Sequence, residues 1–82
     1  MKHRREEPVR LDGKRYGYLP DAFTWRGRRY HVHCVERTWT LARGSGARRL
    51  ERRYFRVRCG GATFDIYHDL VANTWRVAGG AR

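Results

Sequence analysis

From Phe23 to Val32 the large apolar residues recur at every second or near-second position (Phe23, Trp25, Tyr30, Val32), the spacing of a half-buried strand rather than a helix. A two-residue loop at Gly27-Arg28 pairs Trp25 with Tyr30, Phe23 with Val32 and Thr24 with His31, so that the apolar residues share one face. Glycine at the first loop position suits a type II′ turn, where φ is positive. A second hairpin runs from Tyr54 to Tyr67 around Gly60-Gly61, pairing Cys59 with Ala62, Val57 with Phe64 and Phe55 with Ile66 on its apolar face. Its other face pairs Arg58 with Thr63, Arg56 with Asp65 and Tyr54 with Tyr67, and a one-residue slip would break all of these matches.

Between the hairpins the pattern changes phase. Tyr30, Val32 and Cys34 share one parity while Val35, Trp39 and Leu41 share the other, which predicts a bulge or bend near Val35 to Thr38 that keeps both sets inside. Ala42 to Glu51 reads as a Gly/Ser/Arg loop with room for a helical turn at Ala47 to Glu51, His68 to Asn73 as another reversal, and Thr74 to Val77 as a final strand. Upstream, Gly13, Gly17 and Pro20 leave space for a short strand at Val9 to Leu11, and the ordered body is expected to begin near Ala22. The expected fold is all-β: a small antiparallel meander of about five strands, strongly bent into a roll or SH3-like barrel. The expected organisation is a flexible basic arm over 1–8, one small β domain over 9–78 and a frayed C-terminus over 79–82.

Size limits how that fold holds together. A chain of 82 residues buries only about 60% of its unfolded surface, so its core has to be built from large side chains, and eleven aromatics meet the need. Two cysteines, Cys34 and Cys59, are 25 positions apart without C-x-x-C spacing, which excludes a zinc ribbon or a redox motif and leaves two reduced, buried thiols in a cytoplasmic protein. The charged N-terminus and the lack of any long apolar run give no signal peptide and no membrane span.

Charge then points to a partner. Lys and Arg number 19 against 8 acids, a net charge of +11, which favours nucleic acid, an acidic protein surface or anionic lipid. Seventeen of these bases are arginine, a composition that fits either bidentate phosphate contacts or the codon bias of a GC-rich genome. The candidate nucleic-acid-binding residues fall in three places: Arg26, Arg28 and Arg29 at the first hairpin turn; Arg48, Arg49, Arg52 and Arg53 leading into the second hairpin; and Arg56 and Arg58 on its polar face beside Tyr54 and Tyr67. Guanidinium groups next to exposed rings are what a single strand needs, because the cations hold phosphates while the rings stack bases. The same residues also fit a solvated basic face, with Asp65 neutralising Arg56.

Other chemistry is poorly written. His31, His33, Cys34, Cys59 and His68 are metal-ligand types, yet strand alternation turns Cys34 away from His31 and His33. Asp65, His68 and Asp69 come without a nucleophile or a glycine-rich phosphate loop, so no enzyme, cofactor or metal is expected. A protein-protein module docking an acidic partner through a sheet edge or an aromatic surface is the alternative to nucleic-acid binding.

Phe23-x-Trp25-Arg26-Gly27-x-x-Tyr30-x-Val32, Trp39, the Tyr54-Phe55-x-Val57 strand, Phe64-Asp65-Ile66-Tyr67-x-Asp69 and Trp75 together resemble a family of short uncharacterised bacterial β-domain proteins. The pattern is similar to a C-terminal segment of accessory proteins related to Y-family translesion DNA polymerases, over about residues 20 to 77. That resemblance implies a DNA-repair context with DNA or protein contacts. It transfers no catalytic residues, since the polymerase's metal-binding carboxylates have no counterpart here.

Overall fold

A computed structural model of the chain describes residues 6–79. Seven antiparallel strands form one sheet: β1 (Glu7–Arg15), β2 (Leu19–Trp25), β3 (Arg28–His31), β4 (Cys34–Arg43), β5 (Leu50–Cys59), β6 (Ala62–Asp69) and β7 (Thr74–Gly79). A 3-10 turn, Gly46–Arg48, interrupts the loop between β4 and β5. The order across the sheet is β3-β2-β1-β7-β6-β5-β4. Thus β3 and β4 are consecutive in the chain yet form the two edges. The three peptide steps from His31 to Cys34 span at most about 11 Å, so the sheet has to curl until its edges approach at that corner. His33 marks the junction, its backbone N–H donating to the Arg58 carbonyl at 2.8 Å. The result is a strongly curled half-barrel, which bears out the all-β, bent antiparallel expectation with seven strands instead of about five.

The added strands come from the N-terminal third. Val9 to Leu11 is the middle of a nine-residue strand, and the ordered chain begins well before Ala22. Its partners explain why. Glu7, Pro8 and Val9 lie opposite Val77, Arg76 and Trp75, while Arg10 to Arg15 pair with β2. A polar sequence is tolerated in a strand when neighbours supply its hydrogen bonds and one face stays in water. Pro20 is accommodated because β3 pairs only as far as Ala22, leaving β2 with a single neighbour at the proline. Of the flexible arm expected over 1–8, Glu7 and Pro8 belong to β1 and residues 1–5 lie outside the described residues; of the fray expected over 79–82, Gly79 ends β7 and 80–82 lie outside the described residues.

The second hairpin has the predicted register throughout, from Cys59 opposite Ala62 to Tyr54 opposite Tyr67. The first is displaced. Trp25 pairs with Arg28 and Phe23 with Tyr30, so the loop is Arg26-Gly27, both at positive φ (53° and 77°). This is the φ pattern of a type I′ turn, whose twist matches the strands, whereas Gly27-Arg28 in a type II′ turn would place the glycine first. A shift of two keeps parity, so Phe23, Trp25, Tyr30 and Val32 still meet the core.

That core comprises Phe23, Val32, Phe55, Val57, Cys59, Phe64, Ile66 and Val77, with Val9, Leu11, Leu19, Trp25, Tyr30, Val35, Ala62 and Trp75 packed against it. Phe64 sits at the centre of a ring cluster, 5.5 Å from Phe23, 5.5 Å from Trp25 and 4.8 Å from Tyr30 between centroids, all edge-to-face. Favourable aromatic geometry here joins the two hairpins through their inner faces.

The predicted bulge lies between Val35 and Arg37. Its effect is the reverse of the expected one. Val35 opposes Val57 on the inner face, but past Glu36 the alternation flips, and Trp39 opposes Tyr54 while Leu41 opposes Arg52 on the outer face. Cys34 is exposed, which corrects the expectation of two buried thiols. Cys59 is buried among apolar side chains that push its thiol up to about 11. Native protein is accordingly expected to consume one equivalent of a thiol reagent rapidly at Cys34 and to release the second only on unfolding. Mass-mapped labelling checks this, and comparable rates at both positions would contradict the burial of Cys59.

The turn after β4 depends on Gly44. At φ 78° a Cβ there would lie 2.5 Å from the Arg48 backbone oxygen, which no side-chain rotation relieves. Gly44→Ala is expected to cost about 1–2 kcal/mol in urea unfolding, through strain at positive φ plus this clash.

Candidate nucleic-acid interface

The predicted site residues separate into distinct surfaces. On the outer face of β5, alternation aligns Arg52, Tyr54, Arg56 and Arg58, opposite Asp69, Tyr67, Asp65 and Thr63 of β6. Arg53 has the other parity and places its guanidinium 5.9 Å from the Tyr18 ring, apart from that row. Arg48 lies in the 3-10 turn and Arg49 pairs with Glu51 at 2.5 Å, so this loop is a separate basic cluster. Arg26, Arg28 and Arg29 remain at the first hairpin.

Acidic residues temper most of these cations. Glu7 takes Arg26 in a two-pronged pair (2.8 and 2.5 Å) and also accepts the Trp25 indole N–H at 3.0 Å. Asp65 binds Arg56 bidentately at 2.8 and 3.1 Å, the predicted cross-strand pair, and this contact holds the guanidinium more firmly protonated. Arg58 pairs with Glu36, the bulge residue, and Arg52 lies 3.6 Å from Glu6. These pairs are largely solvent-facing, so they screen the cations without removing them from an incoming phosphate. Arg28, Arg37, Arg43, Arg48 and Arg53 have no carboxylate partner among the described residues.

Tyr67 requires correction as a stacking residue. It does pair with Tyr54, ring centroids 5.0 Å apart, but it is only 1% exposed. Arg52 covers its ring at 4.5 Å, and its hydroxyl donates to Glu6 at 2.7 Å. Burial and that carboxylate push the phenol well above its ordinary pKa, so it stays a neutral donor. The polar parity of a strand does not imply exposure when an adjacent chain segment, here Glu6 leading into β1, lies over it.

Trp39 and Arg37 take the place that Tyr67 leaves. Trp39 and Tyr54 stack at 5.2 Å with planes 5° apart, and both are half-buried. Arg37 reaches over the Trp39 ring at 5.0 Å and Arg56 at 5.6 Å. Arg52 donates to the Tyr54 hydroxyl at 3.1 Å. The outer face of β4 and β5 thus carries rings interleaved with guanidinium groups. Sequence reasoning assigned Trp39 to the core. The signal that finds it is the pairing of Trp39 with Tyr54 once a single bulge residue is placed at Glu36.

Among the described residues no three of His, Cys, Asp or Glu come together as metal ligands, and no helix is long and apolar enough to cross a membrane. A family model described as a domain of unknown function (DUF6504) matches residues 1–79. No curated protein and no solved structure matches the chain. None of these comparisons links it to the polymerase-related accessory proteins.

Proposed function

We propose, from the premise that the chain belongs to the DUF6504 family of domains of unknown function, that it is a non-catalytic module binding single-stranded nucleic acid across the outer face of β4 and β5. The observation that carries this reading is the half-buried Trp39–Tyr54 stack flanked by Arg37 and Arg56. A base entering from the β4 edge displaces the Arg37 guanidinium from the Trp39 ring, takes its place against the indole and frees the cation for the adjacent phosphate. Arg52, Arg56 and Arg58 extend the track along β5, and the net charge of +11 speeds encounter.

Fluorescence anisotropy against labelled single strands over a range of salt tests the proposal. About five phosphate contacts give a slope of log K against log salt near −3.5 for single strands. Binding that ignores salt, or no binding at low salt, removes it.

The ten-residue β4 edge, paired among the described residues with β5 alone, also fits an acidic extended segment that adds a strand. That reading expects a stoichiometric complex that survives nuclease treatment. Loss of every partner on nuclease treatment eliminates it.

A further inference from the structure

The two sheet edges approach at the His31–Cys34 corner without pairing as neighbours, and a cleft of about 590 Å³ opens there between β3, the corner and the β5–β6 turn. This volume lies in the range of about 300–1,000 Å³ typical of small-molecule sites. Its polar wall is one-sided in charge. Arg28, Arg29, His31 and His33 line it, and among the described residues no carboxylate does. Arg28 has no acidic partner among the described residues and lies 5.5 Å from the Tyr30 ring, while Arg29, of the other parity, sends its guanidinium back toward Asp12 of β1 at 3.9 Å and meets the cleft through its backbone.

The register of the first hairpin supplies further donors. Trp25–Arg28 closes a two-residue turn and is a hydrogen-bonded pair, as is Phe23–Tyr30, and the series continues with the Val32 N–H to Asp21 carbonyl bond at 2.9 Å. The intervening residues, Arg29 and His31, therefore direct their backbone N–H and C=O groups away from β2 along the open edge. Gly60 and Gly61 form the opposite lip without side chains to obstruct it. Tyr30 and Phe64 supply an apolar wall.

We propose that this cleft binds a phosphomonoester carried on a planar, nucleotide-sized group, free in solution or at the end of a strand. The Arg28 guanidinium and the Arg29 and His31 amides are matched to the phosphate oxygens, and Tyr30 to the planar group. A metal is disfavoured on the same observations: the unpaired Arg28 guanidinium repels a cation, and the thiol at hand, Cys59, is held protonated by burial. The site is separate from the Trp39 face and does not rest on that reading.

The test is an amide-resolved NMR titration of the full chain with 5′-AMP, adenosine and inorganic phosphate in turn, followed by oligonucleotides differing only in a 5′-phosphate or 5′-hydroxyl. Saturable shifts at Arg29, His31, Gly60 and Gly61 are expected with AMP and more weakly with phosphate, but not with adenosine. Larger shifts at these amides with the phosphorylated oligonucleotide assign the site to strand ends; equal shifts with the two oligonucleotides, alongside AMP binding, assign it to free phosphorylated ligands. Arg28→Ala is expected to weaken AMP binding about tenfold or more while leaving the thermal melt and Trp39-dependent strand binding in place. Adenosine matching AMP, no saturable shift at about 10 mM ligand, or undiminished AMP affinity in the Arg28 variant overturns the proposal.

Discussion

Replacing Phe64 with alanine is expected to lower the unfolding free energy by about 3–5 kcal/mol, the range for truncating a buried phenylalanine. The ring is 1% exposed and meets Phe23, Trp25 and Tyr30 edge-to-face. Those three belong to the first hairpin and Phe64 to the second, so the cavity opens where the sheet has curled on itself. Domains of this size have a total stability of about 4–12 kcal/mol, and the variant should be partly unfolded near body temperature. Urea unfolding followed by tryptophan fluorescence measures the loss, with Phe64→Leu as a milder control expected to recover about half of it. A loss below about 1 kcal/mol would mean that the ring cluster does not hold the two halves together.

Replacing Trp39 with alanine is expected to weaken single-strand binding by about 1–3 kcal/mol, the value of one base stacked on an aromatic ring, or roughly 5- to 150-fold. Stability should change much less than in the Phe64 variant, since Trp39 lies on the outer face of an edge strand and is half-buried. The salt slope should barely move, because a stacking ring contributes no released counterion. Arg37→Ala is the complementary variant: it should flatten the slope by about 0.7 while leaving the Trp39–Tyr54 stack. Unchanged affinity in the Trp39 variant would relocate binding to the turn or loop arginines. A loss matched by an equal loss of stability would make Trp39 structural only.

How legible this fold was depended on whether the information was local. The second hairpin was readable in full because six cross-strand matches and a Gly-Gly turn agree, and any other register forfeits all of them. The first was readable in its sidedness but not in its loop. Types I′ and II′ place glycine at different positions in the turn, and a shift of two residues leaves the apolar face unchanged. Strand β1 was largely hidden: Glu7 to Val9 acquire partners only when β7, the last strand of the chain, arrives beside them, and the rest pairs with β2 through register shifts around Gly13 that its polar sequence does not signal. The placement of Glu6 against Tyr67, 61 positions apart, was hidden for the same reason.

The sequence by itself determined that this chain is a basic, all-β domain with its aromatics distributed along bent antiparallel strands, because composition and period-two alternation act over a few residues. It also located the bulge near Val35. Only the tertiary structure decided which way the bulge turns Trp39, that Tyr67 is covered while Trp39 is half-open, and that Arg28 and Arg29 border a cleft. Each of those outcomes depends on which distant strand occupies the neighbouring position, and a curled sheet sets that through contacts made between opposite ends of the chain.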